Sequence, residues 1–339
     1  MTLTETRPET VADEDVAPAA PALGSWITTG DHKRLGLLFV YGGALSVIAG
    51  CLAAALFQLP SLGDSVNAWT QTGSRLASIA TTTTFVIGIP ALWIGLATYV
   101  MPLQIGATRL ALPRLHHLAL WLFAAGGVLV TIGYLADRSL LNGLGASAPA
   151  QLSGKANDAT ELLIAGLAIV AIATFLAALD LVVTVLTRRA AGLRVTLLPT
   201  FSWSVLGTAS VLVLATPGFL AGLVLLYYDR HYGGSLLSSA GGIKIWAHEL
   251  WLLGRPEALV FAAAGVGLFS DVVVTHTRRP LMGHGIAAGA AAAAAPLTLL
   301  LWMGRSTTVT ASPFAPIATV PAVLVGLPVL LGLLSWLRT

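Results

Sequence analysis

The sequence predicts an all-helical bundle that spans a lipid bilayer. Hydrophobic residues make up 56% of the 339-residue chain and charged residues only 10%. That balance leaves too few charges to cover a soluble surface of this size. Apolar residues gather into runs of about the 20 residues that a helix needs to cross the hydrocarbon core. The strands of a membrane barrel would alternate polar and apolar side chains, and no such alternation is present.

The elements follow in order. Residues 1–24 are acidic, rich in Pro and Thr, and lack an apolar core segment, so they read as a disordered cytoplasmic tail rather than a signal peptide. The membrane domain is expected over residues 25–339, with the first helix directing insertion. About eight apolar runs lie near 35–57, 77–101, 117–136, 161–186, 204–228, 246–272, 284–303 and 314–337. Pro90, Pro217, Pro296, Pro321 and Pro328 fall inside runs, which bundled helices accept when neighbours satisfy the freed carbonyl. The abundant Gly and Ala suit close packing of backbones in lipid. The Ala-rich seventh run is weakly hydrophobic and is expected to lie among the others.

Lys33, Arg34, Arg109, Arg114, Arg188, Arg189, Arg194, Arg278 and Arg279 group on alternate loops with the N-terminus. The positive-inside rule then predicts an integral plasma-membrane protein with both termini in the cytoplasm. The lone Cys51 cannot form an internal disulfide and reads as a packing residue. The net charge of +3 is small and dispersed, so the expected partner is the lipid bilayer and not nucleic acid. No P-loop, nucleophile elbow or zinc motif occurs. The glycines of "GVGLFSD" at 265–271 sit inside an apolar run and read as packing glycines.

The chemistry that stands out is charge inside the sixth run, "HELWLLGRPEALVF", where Arg255 and Glu257 lie two residues apart. Burying such groups costs several kcal/mol, so they are usually paired and often functional. Residues two apart on a helix do not face each other, so each must find its partner across a helix interface or through water. The candidate buried polar cluster is Arg255, Glu257 and Arg305, with His248, Glu249 and Asp180 as further members.

Several strings carry a family resemblance. "WITTGDHKRLG", "ATYVMPLQIGATRLALPRLHHLALWLF", "LLPTFSWSVLGTASVLVLATPGFLAGLVLLYYDRHYGG" and "HELWLLGRPEALV" resemble, in this order, segments of subunit I of the haem-copper oxidases, the cytochrome c and quinol oxidases. The resemblance covers roughly residues 25–339 and implies a fold like the first eight helices of that subunit. It also implies where haem and copper would be held. The low-spin haem histidine of the second helix falls on Ala80, the copper histidine of the sixth on Arg255, and the His-His pair of the seventh on Gly304 and Arg305. The cross-linked tyrosine falls on Leu259. The aspartate at one proton channel falls on Arg109, its neighbouring asparagines on His116 and His117, and the lysine of the other channel on Gly332. The family's buried glutamate is kept as Glu257. The remaining axial histidines belong to the family's tenth helix, beyond the eight runs found here.

The histidines agree with those substitutions. Iron and copper need imidazoles converging at membrane depth. The seven histidines, His32, His116, His117, His231, His248, His276 and His284, all lie in loops or near run ends and read as interfacial residues. His116 and His117 are adjacent, so their side chains diverge. No catalytic, cofactor-binding or metal-ligating residue is therefore expected. Arg255 and Arg305 are expected to supply the positive charge that a metal would have brought. The leading expectation is a non-catalytic subunit I-like protein, structural or assembly-related, alongside other respiratory oxidase subunits. The alternatives are half of a split terminal oxidase that reduces oxygen and pumps protons, and a proton or small-ion conduit.

Overall fold

The structure is a computed structural model that describes residues 25–26, 29–58, 76, 78–136, 158–232, 256–281, 283–305, 330–331 and 334–336. Seven long helices run through them: α1 (His32–Gln58), α2 (Ser78–Ile105), α3 (Pro113–Ala136), α4 (Asp158–Thr187), α5 (Thr200–His231), α6 (Pro256–Thr277) and α7 (His284–Arg305). The first five are long and apolar enough to cross a membrane. The predicted helical membrane bundle is thus observed. The eighth run falls almost wholly outside the described residues, as does the tail at 1–24.

Helices consecutive in the chain pack side by side, α1 on α2, α3 on α4, α4 on α5 and α6 on α7, while α5 also lies against α6 and α7. Lipid tails are as apolar as leucine, so close backbone approach must hold such helices together. Two glycine contacts show it. A Cβ on Gly95 would sit 2.7 Å from the Gly36 carbonyl oxygen, and one on Gly166 would sit 2.7 Å from the Val130 nitrogen. No larger residue fits either crossing without parting α1 from α2 or α3 from α4. Outward faces stay greasy, with Leu45 69% and Leu52 61% exposed on α1.

Helix α2 opens with a π-helical segment, Thr82–Gly88, in which the Ile89 N–H reaches back to the Thr84 carbonyl. Pro90 follows, and a proline ring inside a helix loses one hydrogen bond and crowds the carbonyl four residues back. The wider turn accommodates that crowding. The β-branched threonines before it turn their hydroxyls inward, as Thr83 Oγ1 does to the Ile79 carbonyl at 2.6 Å.

Three turns share one end of the bundle. The α2–α3 turn begins at Gly106, whose φ of 71° ends α2 in the left-handed conformation that glycine adopts without a Cβ penalty. The α4–α5 turn meets it through the Ala190 N–H, which donates to the Ile105 carbonyl at 2.9 Å. The α6–α7 turn joins them because Asp271, near the end of α6, bonds to α2 and to the start of α5. Arg109, Arg188, Arg189, Arg194, Arg278 and Arg279 all belong to these turns. The loops grouped by charge in the sequence therefore lie together in the fold, at what is called here the basic end.

Candidate functional site

The basic end carries two buried polar clusters. In the first, His116 of α3 and Asp180 of α4 are both 0% exposed, with Nδ1 and Oδ2 3.1 Å apart. These two atoms do not form a hydrogen bond with each other, so the contact is a close polar approach. The other ring nitrogen, Nε2, lies 2.8 Å from Thr98 Oγ1 on α2. Asp180 Oδ1 accepts the Leu112 N–H at 2.8 Å and the Thr184 hydroxyl at 3.3 Å. Thr184 Oγ1 accepts the Ala111 N–H at 2.9 Å. The turn before α3 leaves N–H groups with no intrahelical partner, and α4 supplies the acceptors.

The second cluster repeats that arrangement. Asp271 Oδ2 accepts the Gln104 side-chain amide at 2.8 Å and the Phe201 N–H at 3.1 Å. Ser202 Oγ donates to Gln104 Oε1 at 2.7 Å. Phe201 sits in the first turn of α5, where an N–H is orphaned, and the carboxylate from α6 takes it. Each acid caps a helix other than its own and ties three helices together.

The opposite end holds looser polar contacts. Glu161 Oε1 lies 3.5 Å from His231 Nε2, and the His231 ring stacks on Tyr227 at 4.2 Å. Glu161 and Tyr227 border a groove of about 520 Å³ between α4 and α5, floored by residues such as Ile164, Ala168 and Leu223. Toward the same end, Thr82 Oγ1 and the buried Tyr134 hydroxyl share a hydrogen bond of 2.8 Å.

The residues singled out in the sequence divide between the ends. Asp180 lies at the basic end with His116. Glu257 is the second residue of α6 and Arg305 the last of α7, so the backbone carries both to the opposite end. Glu257 stands about 21 Å along α6 from Asp271, at ~1.5 Å per residue. The side chains of Glu257, Leu259 and Arg305, and the whole of His248, Glu249, Arg255 and Gly332, lie outside the described residues.

The sequence reading of His116 as an interfacial residue is corrected. Its imidazole is sealed within the bundle, with the Phe39 ring centroid 5.6 Å away. The signal was present in the spacing of α3. His116, Ala119, Phe123, Gly126, Val130 and Gly133 are buried and recur at intervals of three and four, one face of a helix. The expected divergence from His117 is observed, since that ring turns outward and its Nε2 accepts the Trp121 indole N–H at 3.1 Å.

The haem-ligand position of the second helix can be tested for fit. Ala80 is half-buried and presents a methyl group, which has no lone pair for a metal. Its carbonyl oxygen would be 3.0 Å from a Cβ on Gly50 of α1, so the two backbones are in direct contact there. Gly304 has no side chain at all. Among the described residues, no three His, Cys, Asp or Glu side chains are gathered so as to hold a metal ion.

Comparison with known proteins agrees with the fold. Residues 34–339 match the family described as Cytochrome C and Quinol oxidase polypeptide I. A probable cytochrome c oxidase subunit 1-beta of Nocardia farcinica is 31% identical over 335 residues, covering 95% of this chain and 55% of the relative. Cytochrome c oxidase subunit 1 of Bacillus sp. PS3 is 28% identical, covering 94% and 52%. Quinol oxidase subunit 1 of Bacillus subtilis is 29% identical, covering 93% and 49%. The chain spans about half the length of these relatives.

Proposed function

The chain belongs to the cytochrome c and quinol oxidase polypeptide I family, and from that premise we propose that it is a non-catalytic, subunit I-like membrane protein. Its role is structural, holding or assembling other subunits of a respiratory oxidase in the plasma membrane. The observation that supports this reading best is the methyl group of Ala80 where the resemblance requires an axial imidazole. Arg255, Gly304 and Arg305 replace the copper ligands in the same manner. Guanidinium groups carry charge but no lone pair for a metal, so at these positions they provide positive charge and no ligation. The gathering of arginines at one end supports an orientation with that end, and both termini, in the cytoplasm.

A split oxidase would need another chain to supply the ligands missing from these positions. Affinity purification of the tagged full chain from its native membrane tests both readings. Co-purification of oxidase subunits, with no Soret absorbance in the chain once it is separated from them, is expected. A Soret band that stays with the separated chain would refute the proposal.

A further inference from the structure

We propose that the groove between α4 and α5 is a lipid site that selects a phospholipid with a primary-amine headgroup, phosphatidylethanolamine. The groove is amphipathic along its length. Asp158 and Glu161 stand in the first turn of α4, and Tyr227 lies one turn before the end of α5. The polar residues that line the groove are therefore gathered at its mouth, at the end of the bundle opposite the arginines. Ile164, Ala168 and Leu223 line the rest.

The depth of the groove matches one leaflet. Asp158 and Ala168 both line it and lie on the same helix, which separates them by about 15 Å at ~1.5 Å per residue. The hydrocarbon core of a bilayer is about 30 Å thick, so one leaflet fills about 15 Å of it. The groove thus runs from headgroup level to about the bilayer midplane, the reach of one acyl chain. Its apolar floor is unfavourable for water, and hydrocarbon is the solvent at that depth. Tyr227, 45% exposed at the mouth, stands where aromatic residues meet the headgroup layer.

The mouth decides the head. Carboxyl oxygens accept hydrogen bonds, and a protonated primary amine has three N–H donors and no acceptor. The acidic side chains of Asp158 and Glu161 therefore suit the ethanolamine nitrogen. A choline head carries the same charge but has no N–H to donate, and a glycerol head has no cation. Arg230, in the last turn of α5, is near enough to Glu161 to interact with it electrostatically and carries only donors. Its guanidinium suits the lipid phosphate. An ethanolamine phospholipid thus matches the mouth through both of its headgroup charges, and its acyl chain matches the floor. Interfacial anchors set how a helix tilts in the bilayer, so a lipid held here fixes the α4–α5 pair at the end that lacks the arginine turns.

The test is native mass spectrometry of the full chain in mixed micelles holding equal amounts of phosphatidylethanolamine, phosphatidylcholine and phosphatidylglycerol with the same acyl chains. One retained phosphatidylethanolamine is expected, preferred about fivefold over either competitor, which is the worth of one net hydrogen bond. Asp158→Ala combined with Glu161→Ala should remove the preference while a lipid is still retained. Ala165→Phe, at an exposed position in the groove, should displace the lipid whatever its head. Equal retention of the three lipids by the unaltered chain would overturn the proposal. So would a phosphatidylethanolamine preference that survives Ala165→Phe, or a co-purified protein helix that crosslinks into the groove in place of lipid. Competition on the unaltered chain decides the headgroup preference even where a variant folds poorly.

Discussion

Replacing Asp180 by leucine removes the one carboxylate that faces His116 and leaves the Leu112 N–H without its acceptor. Three contacts are lost, at 2.8, 3.1 and 3.3 Å. The buried His116 ring also loses its polar neighbour at Nδ1, and an unsatisfied buried polar group costs about 1–3 kcal/mol. An unsatisfied buried N–H adds about 1–3 kcal/mol. Unfolded helices in a membrane also find partners, and single interhelical hydrogen bonds average only ~0.6 kcal/mol there, so the lower end, about 2 kcal/mol for the two groups together, is the expected loss. Asp180→Asn keeps a carbonyl for the Leu112 N–H and should cost clearly less. His116→Gln combined with Asp180→Leu should recover part of the loss, since the double variant leaves no imidazole against an apolar side chain. Reversible unfolding in mixed micelles, read by circular dichroism, would supply the three free energies. Equal losses for Asp180→Leu and Asp180→Asn, with no recovery in the double variant, would refute the reasoning from paired polar groups.

Other perturbations follow from the same packing and charge arguments. Gly166→Val should lower the yield of folded protein sharply, because a Cβ there meets the Val130 nitrogen at 2.7 Å, whereas Gly42→Ala, with nothing within 4 Å, should leave it unchanged in a detergent size-exclusion assay. Asp271→Ala strands the Phe201 N–H and the Gln104 amide, and a loss of about 1–3 kcal/mol is expected in the same unfolding assay. Joint replacement of Arg255 and Arg305 by alanine should reduce folded yield and thermal stability if the two guanidiniums supply structural charge. If the chain is a structural subunit, Glu257→Gln should leave proton flux into liposomes at the background of empty vesicles and equal to that of the unaltered chain.

Much of this architecture was legible in the chain, for physical reasons. Apolar length alone marked the helices, and their ends agree within a few residues where prolines or arginines punctuate them, as at Pro113 and Arg188. The loop charges placed one set of turns at a common end, since arginine is costly to carry through lipid. The polar clusters were harder to see. Asp180 was singled out as an acid near membrane depth, but its partner was not, because position along a helix does not reveal which face a side chain takes. His116 lies one turn inside α3, where an interfacial and a buried residue look alike. Only its place in the stripe with Ala119, Phe123 and Gly126 separates them. Asp271 was read only as part of a glycine-rich packing segment. Its role arises from the orphaned Phe201 N–H on a distant helix, and no local pattern encodes that.

The proposed role depends on Ala80, Arg255, Gly304 and Arg305, none of which offers a side chain that binds a metal. Its most direct test is the iron, copper and haem content of the full chain, expressed in its native membrane and separated from co-purifying subunits. The predicted result is less than one-tenth of an equivalent of each, on the order of contamination. A whole equivalent of haem or copper that survives chelator washing would contradict it.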